Sequence, residues 1–250
     1  MNDNAGSYAS VALDRPEEGI LVMRLHTRGG AAKWGLAGGL HAELGPAFAA
    51  IAADASVRVV VITGTGEDFC REFDMEGEMP GPMTATAWDQ IFREGNALLR
   101  NLLAIPVPVI GAVNGPAHIH AEIVMLSDIV LAAEHATFAD APHFNHGVVP
   151  GDGVQTVWPM LLGPNRGRYF LLTGEEIGAA EAKAIGIVGE VLRSEDLMPR
   201  ALELARMIAA KPTMTGRYAR RLLTREISRR LADELELGLA LEGLAILGRA

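Results

Sequence analysis

The residues best suited to chemistry stand at the two ends of a turning segment, HFNHGVVPGD, which runs from His143 to Asp152. Gly147, Pro150 and Gly151 break helix and strand alike, so the chain folds back here and its ends can approach each other. An imidazole that meets a carboxylate does a definite job. The acid fixes the tautomer of the ring and stabilises the imidazolium formed when the ring takes a proton. No GxSxG elbow occurs, so the nucleophile such a base would serve is water. Spacing alone leaves a plainer reading open, and favours it: His143 bonds a carbonyl and Asp152 caps a helix that begins at Gly153. His146, three residues on, is either a rival base or a solvent-facing loop residue.

Three further groups are candidates. If a helix starts at Ala117, His120 shares a face with Ile123 and Val124, and His118 lies one turn from Glu122. Ligation of a metal by that last pair is weakly supported, because the catalytic zinc signatures are absent, and no metal is expected. A core histidine is the plainer reading of His120. His41 opens a helix behind a glycine-rich approach (Gly35, Gly38, Gly39) that carries Trp34, which suits a binding site and equally suits a loop with Trp34 in the core. Glu242 lies among Leu239, Leu241, Leu244 and Ile246; buried there it would titrate high and donate a hydrogen bond. Otherwise it is a surface or subunit-interface glutamate.

The elements that must position these groups follow from periodicity. Strands are expected over 20–26, 57–63, 107–113, 128–132 and 136–139. Helices are expected through Leu40, Leu44, Phe48 and Ile51, from Trp88 to Leu103, and as a short buried stretch over 117–125. Alternating strand and helix predicts an α/β fold with a parallel sheet and right-handed crossovers. From about Leu197 the chain turns to helix formers, with Pro212 at a helix start and Gly238 and Gly243 interrupting late turns.

Composition narrows the function. The chain has 250 residues, 49% of them hydrophobic, enough for one compact unit with a core. A formal net charge of -9 speaks against a nucleic-acid partner. The single cysteine, Cys70, forms no internal disulfide, so the protein reads as cytoplasmic. Met1 to Ser10 lacks the basic start and apolar run of a signal peptide, and Pro106 and Pro108 cut the longest apolar stretch, so no membrane association is expected.

The ordered series PVPVIGAVNGPA, SDIVLAAEHATFAD, HGVVPGDG and LLTGEEIGAAEAKAIGIVGEVL resembles the crotonase (enoyl-CoA hydratase/isomerase) superfamily over nearly the whole chain. Within it, SDIVLAAE, GPNRGRYFLLTGEE and VVPGDG are most similar to 6-oxocamphor hydrolase-like β-diketone hydrolases. The resemblance implies a crotonase-like ββα spiral core over 1–194 and a helical C-terminal region over 195–250 that supports a homotrimer or dimer of trimers. It implies hydrolysis of a carbon–carbon bond in a cyclic or bicyclic 1,3-diketone, without cofactor. His143 and Asp152 would activate water, His120, Glu242 and His41 would join them in catalysis, and Trp34 and Glu122 would contact substrate.

Two departures separate the chain from CoA-dependent members. Those carry an AGAD-like loop and a GGG run whose amides hold a thioester oxyanion; here the first reads Cys70, Arg71, Glu72, Phe73, Asp74 and the second His118, Ile119, His120, Ala121. Side chains at those positions obstruct close approach to backbone donors. Hydratases use two glutamates; Glu122 keeps one and His143 takes the place of the other. With only three lysines, a phosphate-binding reading is also weakened. A CoA-thioester hydratase, isomerase or hydrolase is the alternative enzyme, and an RNA-binding relative the non-catalytic one.

Overall fold

A computed structural model describes residues 8–36, 38–77 and 82–249. Its main sheet has six strands in the order β1 (Val11–Glu17), β2 (Ile20–Leu25), β3 (Val59–Thr63), β4 (Val109–Val113), β5 (Ile129–Ala133) and β8 (Glu190–Leu192). All neighbours are parallel except β1 with β2. The central strands are continuous apolar runs because both faces of the sheet are covered; β3 and β4 are buried at every position. Periodicity alone does not reveal β1. It is an antiparallel edge strand with Pro16 in it and mostly solvated side chains, so hydrophobicity does not mark it.

Between the strands lie α1 (Leu40–Ala53), α2 (Ala85–Ala104), the single turn α3 (Glu122–Met125), β6 (Thr137–Phe138), α4 (Val154–Leu162), α5 (Pro164–Thr173), β7 (Ile177–Gly178) and α6 (Ala179–Ala184). The C-terminal part is helical: α7 (Ser194–Ala209), α8 (Thr213–Leu223) and α9 (Arg225–Leu247). No described helix is long and apolar enough to cross a membrane.

α7 closes one face of the sheet, setting Leu197, Ala201 and Ala205 against Val22, Val61 and Ile110. α1, α2, α4 and α9 share the core on the other face, which is where the candidate residues gather. The buried guanidinium of Arg220 anchors the C-terminal helices. Its Nε donates to Ile105 O at 2.8 Å and its Nη2 to Leu102 O at 3.2 Å, capping carbonyls at the end of α2, while Nη1 pairs with Asp128.

Two expectations change. Helix over 117–125 shrinks to Glu122–Met125, because the preceding amides are engaged elsewhere: Ala117 N donates to Thr137 O at 2.8 Å, and His118 N and Ile119 N donate to Cys70 O at 2.9 and 3.1 Å. His118 and Glu122 therefore do not share a helix face, nor does His120 share one with Ile123 and Val124. Gly238 and Gly243 do not interrupt α9, which is continuous through both. They mark close approach. A Cβ on Gly238 would stand 2.2 Å from Gly151 O, and one on Gly243 would stand 2.0 Å from Trp88 Nε1.

Candidate active site

The site begins at the loop between β6 and α4. A short 3₁₀ turn, Phe144–His146, closes on His143 through His146 N to His143 O at 2.9 Å, and Gly147 leaves it in the left-handed conformation at φ 69. That turn points the imidazole of His143 inward, where 3% of the residue is exposed. Its Nδ1–H donates to Asp140 Oδ1 at 2.5 Å. On the other side of the ring, Nε2 lies 3.4 Å from Asp152 Oδ2 and 3.8 Å from Glu242 Oε1.

The segment thus folds back and brings His143 to Asp152, but the acid on Nδ1 is Asp140. Asp152 faces Nε2, the nitrogen a base would use. The sequence does not single out Asp140. Its only signal was proximity, three residues before His143, and nothing in that spacing separates an orienting acid from an ordinary loop aspartate.

Asp152 has a second neighbour. His120 Nδ1 stands 3.2 Å from the same Oδ2 and 2.7 Å from Oε1 of Glu122, which is completely buried. His120 reaches this position from a left-handed backbone, φ 53, a conformation in which histidine is over-represented among non-glycine residues. Its ring stacks on Trp34, with centroids 3.8 Å apart and an interplanar angle of 28°. Trp34 is held by Trp34 N to Glu72 O at 2.8 Å and Asp74 N to Trp34 O at 2.9 Å, so the indole is fixed from the loop after β3.

His41, in the first turn of α1, meets Trp34 edge-on at 5.8 Å. Its Nε2–H donates to Ile91 O at 3.1 Å, which leaves Nδ1 as a lone-pair nitrogen, buried and unpartnered among the described residues. Trp34 Nε1 is likewise buried without a partner among them. Glu242 arrives from α9 because Gly238 and Gly243 let that helix approach.

Trp34, His41, His120, His143, Asp152 and Glu242 all line a cavity of about 140 Å³, completed by apolar side chains that include Phe73, Trp88, Leu239 and Ile246. Glu122 does not line it; it stands behind His120. His118 is turned away, with its Nε2 2.7 Å from Thr137 Oγ1, and His146 is exposed on the loop. Cys70 is buried in the bridge to Ala117, and burial pushes its thiol well above the usual range, so it is not a nucleophile here.

Burial and neighbouring charges set the protonation states. Burial penalises the charge on His143, yet Asp152 and Asp140 more than compensate and hold its pKa well above the ordinary value. Burial likewise opposes charge on His120, but Glu122 and Asp152 outweigh it and raise the ring. Asp152 is lowered despite burial, because two imidazoles face it. Burial and then the Asp152 charge push Glu242 up to about 8, so its carboxyl is neutral at pH 7 and can donate. Burial and the nearby His120 bring His41 down to about 4, which keeps it neutral.

For a metal, His120, Glu122 and Asp152 each place a donor atom within 4.8 Å of the others, the one such group among the described residues. The donor set fits a divalent cation in number. Its imidazole nitrogen is already matched at hydrogen-bond distance to Glu122, while Glu122 Oε2 and Asp152 Oδ1 are buried without a partner among the described residues.

With fold and site in place, the chain belongs to the enoyl-CoA hydratase/isomerase family, the crotonase superfamily, whose model matches residues 15–243. It is similar to the 1,2-epoxyphenylacetyl-CoA isomerase of Escherichia coli (strain K12), 33% identical over 178 residues, 70% of this chain and 67% of the relative. It is also similar to the carnitinyl-CoA dehydratase of Shigella flexneri, 32% identical over 205 residues, 81% of this chain and 71% of the relative. Among solved structures it resembles ABDH, a β-diketone hydrolase from the cyanobacterium Anabaena sp. PCC 7120 bound to (S)-3-oxocyclohexyl acetic acid. That likeness has 43% identity, a TM-score of 0.90, and covers 96% of this chain and 94% of the other. An enoyl-CoA hydratase/isomerase from Mycobacterium paratuberculosis superposes with a TM-score of 0.87 at 26% identity, covering 95% and 94%.

Proposed function

We propose that this protein is a β-diketone hydrolase that cleaves a carbon–carbon bond of a cyclic or bicyclic 1,3-diketone by a retro-Claisen reaction. The observation that carries this reading is the buried His143 ring, held through Nδ1 by Asp140 with Nε2 turned to a small, largely apolar cavity. Such a ring removes a proton from water as the water oxygen bonds to one carbonyl carbon. The tetrahedral intermediate then expels carbon, and the second carbonyl accepts the electron pair as an enolate.

Donors are needed at the developing oxyanions. The unpartnered Trp34 Nε1–H, the neutral Glu242 carboxyl and His120 can supply them. His41 cannot, because its one N–H is committed to Ile91 O; its Nδ1 is an acceptor that can hold a water or a substrate hydroxyl. Glu122 acts through His120 rather than on substrate.

A thioester is disfavoured by the cradle itself. The amides of His118 and Ile119 donate to Cys70 O, and the His120 and Trp34 rings fill the adjoining space. The likeness to proteins named for CoA substrates makes the CoA ester the necessary control. The protein is read as cytoplasmic, without cofactor, nucleic-acid or membrane partner. The C-terminal region, 195–250, is read as support for a homotrimer or dimer of trimers, consistent with exposed Leu222 and Leu223 at the end of α8.

The test is incubation with a panel of cyclic and bicyclic 1,3-diketones, following loss of ultraviolet absorbance, beside enoyl- and acyl-CoA esters. Diketone turnover with inert CoA esters is expected. Turnover of the CoA esters alone would overturn the reading.

A further inference from the structure

The polar groups of the site form a single alternating row. Asp140 meets His143 at 2.5 Å, His143 meets Asp152 at 3.4 Å, Asp152 meets His120 at 3.2 Å and His120 meets Glu122 at 2.7 Å. His143 lies between two carboxylates, one at each ring nitrogen, whereas His120 presents Nδ1 alone to both Glu122 and Asp152, and Oδ2 of Asp152 is common to both rings. The two outer acids differ from the middle one. Asp140 and Glu122 each serve one ring through its Nδ1, the positioning job. Asp152 meets Nε2 of one ring and Nδ1 of the other, so it orients neither alone.

We propose that Asp152 is a shared counter-ion that couples His143 as base to His120 as acid, while Asp140 is the positioning residue that sets the tautomer of His143. This deepens the β-diketone reading and rests on it for the substrate, though not for the coupling. One carboxylate between two buried imidazoles stabilises one positive charge far better than two. The reactive form of the singly charged pair has His143 neutral, with Nδ1–H on Asp140 and a lone pair on Nε2, and His120 cationic; it is the minor form, because Asp152 and Asp140 hold the proton more tightly on His143. His143 Nε2 takes a proton from water while the water oxygen bonds to the carbonyl carbon. As the carbon–carbon bond breaks and its electron pair moves into the enolate, His120 Nε2, which makes no hydrogen bond to the described residues, gives its proton to the enolate oxygen. The pair carries one positive charge before and after, and Asp152 neutralises it at either ring. Exchange with water after product release restores the start.

Every titratable group that faces the pair enters the expectation. His143 is faced by Asp140 from its own loop, Asp152 from the loop before α4 and Glu242 from α9. His120 is faced by Glu122 on α3, Asp152, and His41 on α1, whose ring centroid is 6.3 Å away.

The test is nitrogen-15 NMR of the imidazoles across pH in the intact protein and in the variants Asp140→Asn and Asp152→Asn, with circular dichroism as the fold control. In the unsubstituted protein the two rings are expected to titrate in coupled steps. Asp152→Asn should lower both midpoints and make them independent, and should reduce kcat/KM by about 100-fold or more, the range of a lost acid–base contribution. Asp140→Asn should change the His143 tautomer while leaving the His120 titration in place. A His120 titration untouched by Asp152→Asn, or an unchanged His143 tautomer in Asp140→Asn, overturns the proposal. Should a variant fail to fold, the double variant His120→Gln with His143→Gln decides. With coupling, the two losses in kcat/KM are strongly non-additive; additive losses overturn it. The NMR readouts need no substrate, so inactivity toward every diketone would sink the substrate reading and leave the coupling standing.

Discussion

His143 and Asp140 are both almost wholly removed from solvent, at 3% and 4% exposure, and the 2.5 Å bond between them is the tightest link in the site. A ring held in this way has one nitrogen committed and one free, which is the condition for a base that acts in a single direction. Replacing His143 with Ala should reduce turnover by ~100 to 10,000-fold. Circular dichroism should show the fold retained, and near-normal turnover would rule out His143 as the base.

The same neighbours fix the pH response. His143 has to be neutral to act, and Asp152 and Asp140 raise its pKa, so kcat/KM should climb with pH through a region above 6.5. Asp140→Asn removes one of the two stabilising anions and should move that limb to lower pH. An unshifted limb in a pH–rate profile would show that another group is the base.

Glu242 works in the opposite sense. Its folded value is about 8 and its ordinary value 4.5. Between those pH values the folded chain keeps a proton the unfolded chain has released, so stability falls as pH rises through that window. Glu242→Gln keeps the shape and removes the penalty. It should raise the melting temperature at pH 9 more than at pH 5, and flatten any loss of activity near pH 8. Equal shifts at both pH values would show that the carboxyl is ionised when folded.

Gly238 is a packing requirement rather than a flexible joint. A Cβ there would meet Gly151 O at 2.2 Å and Gln155 Nε2 at 2.1 Å, and backbone on the Gly151 side cannot yield cheaply. Gly238→Ala should therefore cost about 1 to 3 kcal/mol in chemical denaturation, despite alanine's better helix propensity. It should also lower activity by pushing Glu242 outward. A stabilised variant would refute the close-packing account.

Chelation gives a fifth check. A reaction run by acids, imidazoles and water keeps its rate in EDTA after exhaustive dialysis. Loss of turnover that zinc or manganese restores would assign His120, Glu122 and Asp152 to a metal instead.

Much of this was legible in the chain. Apolar runs such as VVVIT and VIGAV declare buried parallel strands, because a strand covered on both faces has no polar side to show. The glycine and proline residues between His143 and Asp152 declare a return of the backbone, and the two residues do end 3.4 Å apart. The glycine-poor segments at Cys70 and His118 mark a departure from the AGAD-like loop and GGG run of CoA-dependent members.

Other features needed the fold. Which acid takes Nδ1 of His143 depends on the direction of the ring, and that is set by a 3₁₀ turn whose geometry no periodicity encodes. The amides ahead of α3 pair with Cys70 and Thr137, partners distant in sequence, so a local helix pattern gave way to longer-range bonding. His120 reaches Asp152 and Glu242 reaches His143 from segments more than a hundred residues apart, and α9 comes this close only where two glycines admit it. Local periodicity determined the elements and the candidate chemistry; packing between remote segments decided which nitrogen faces which acid, because that choice rests on side-chain direction and mutual burial.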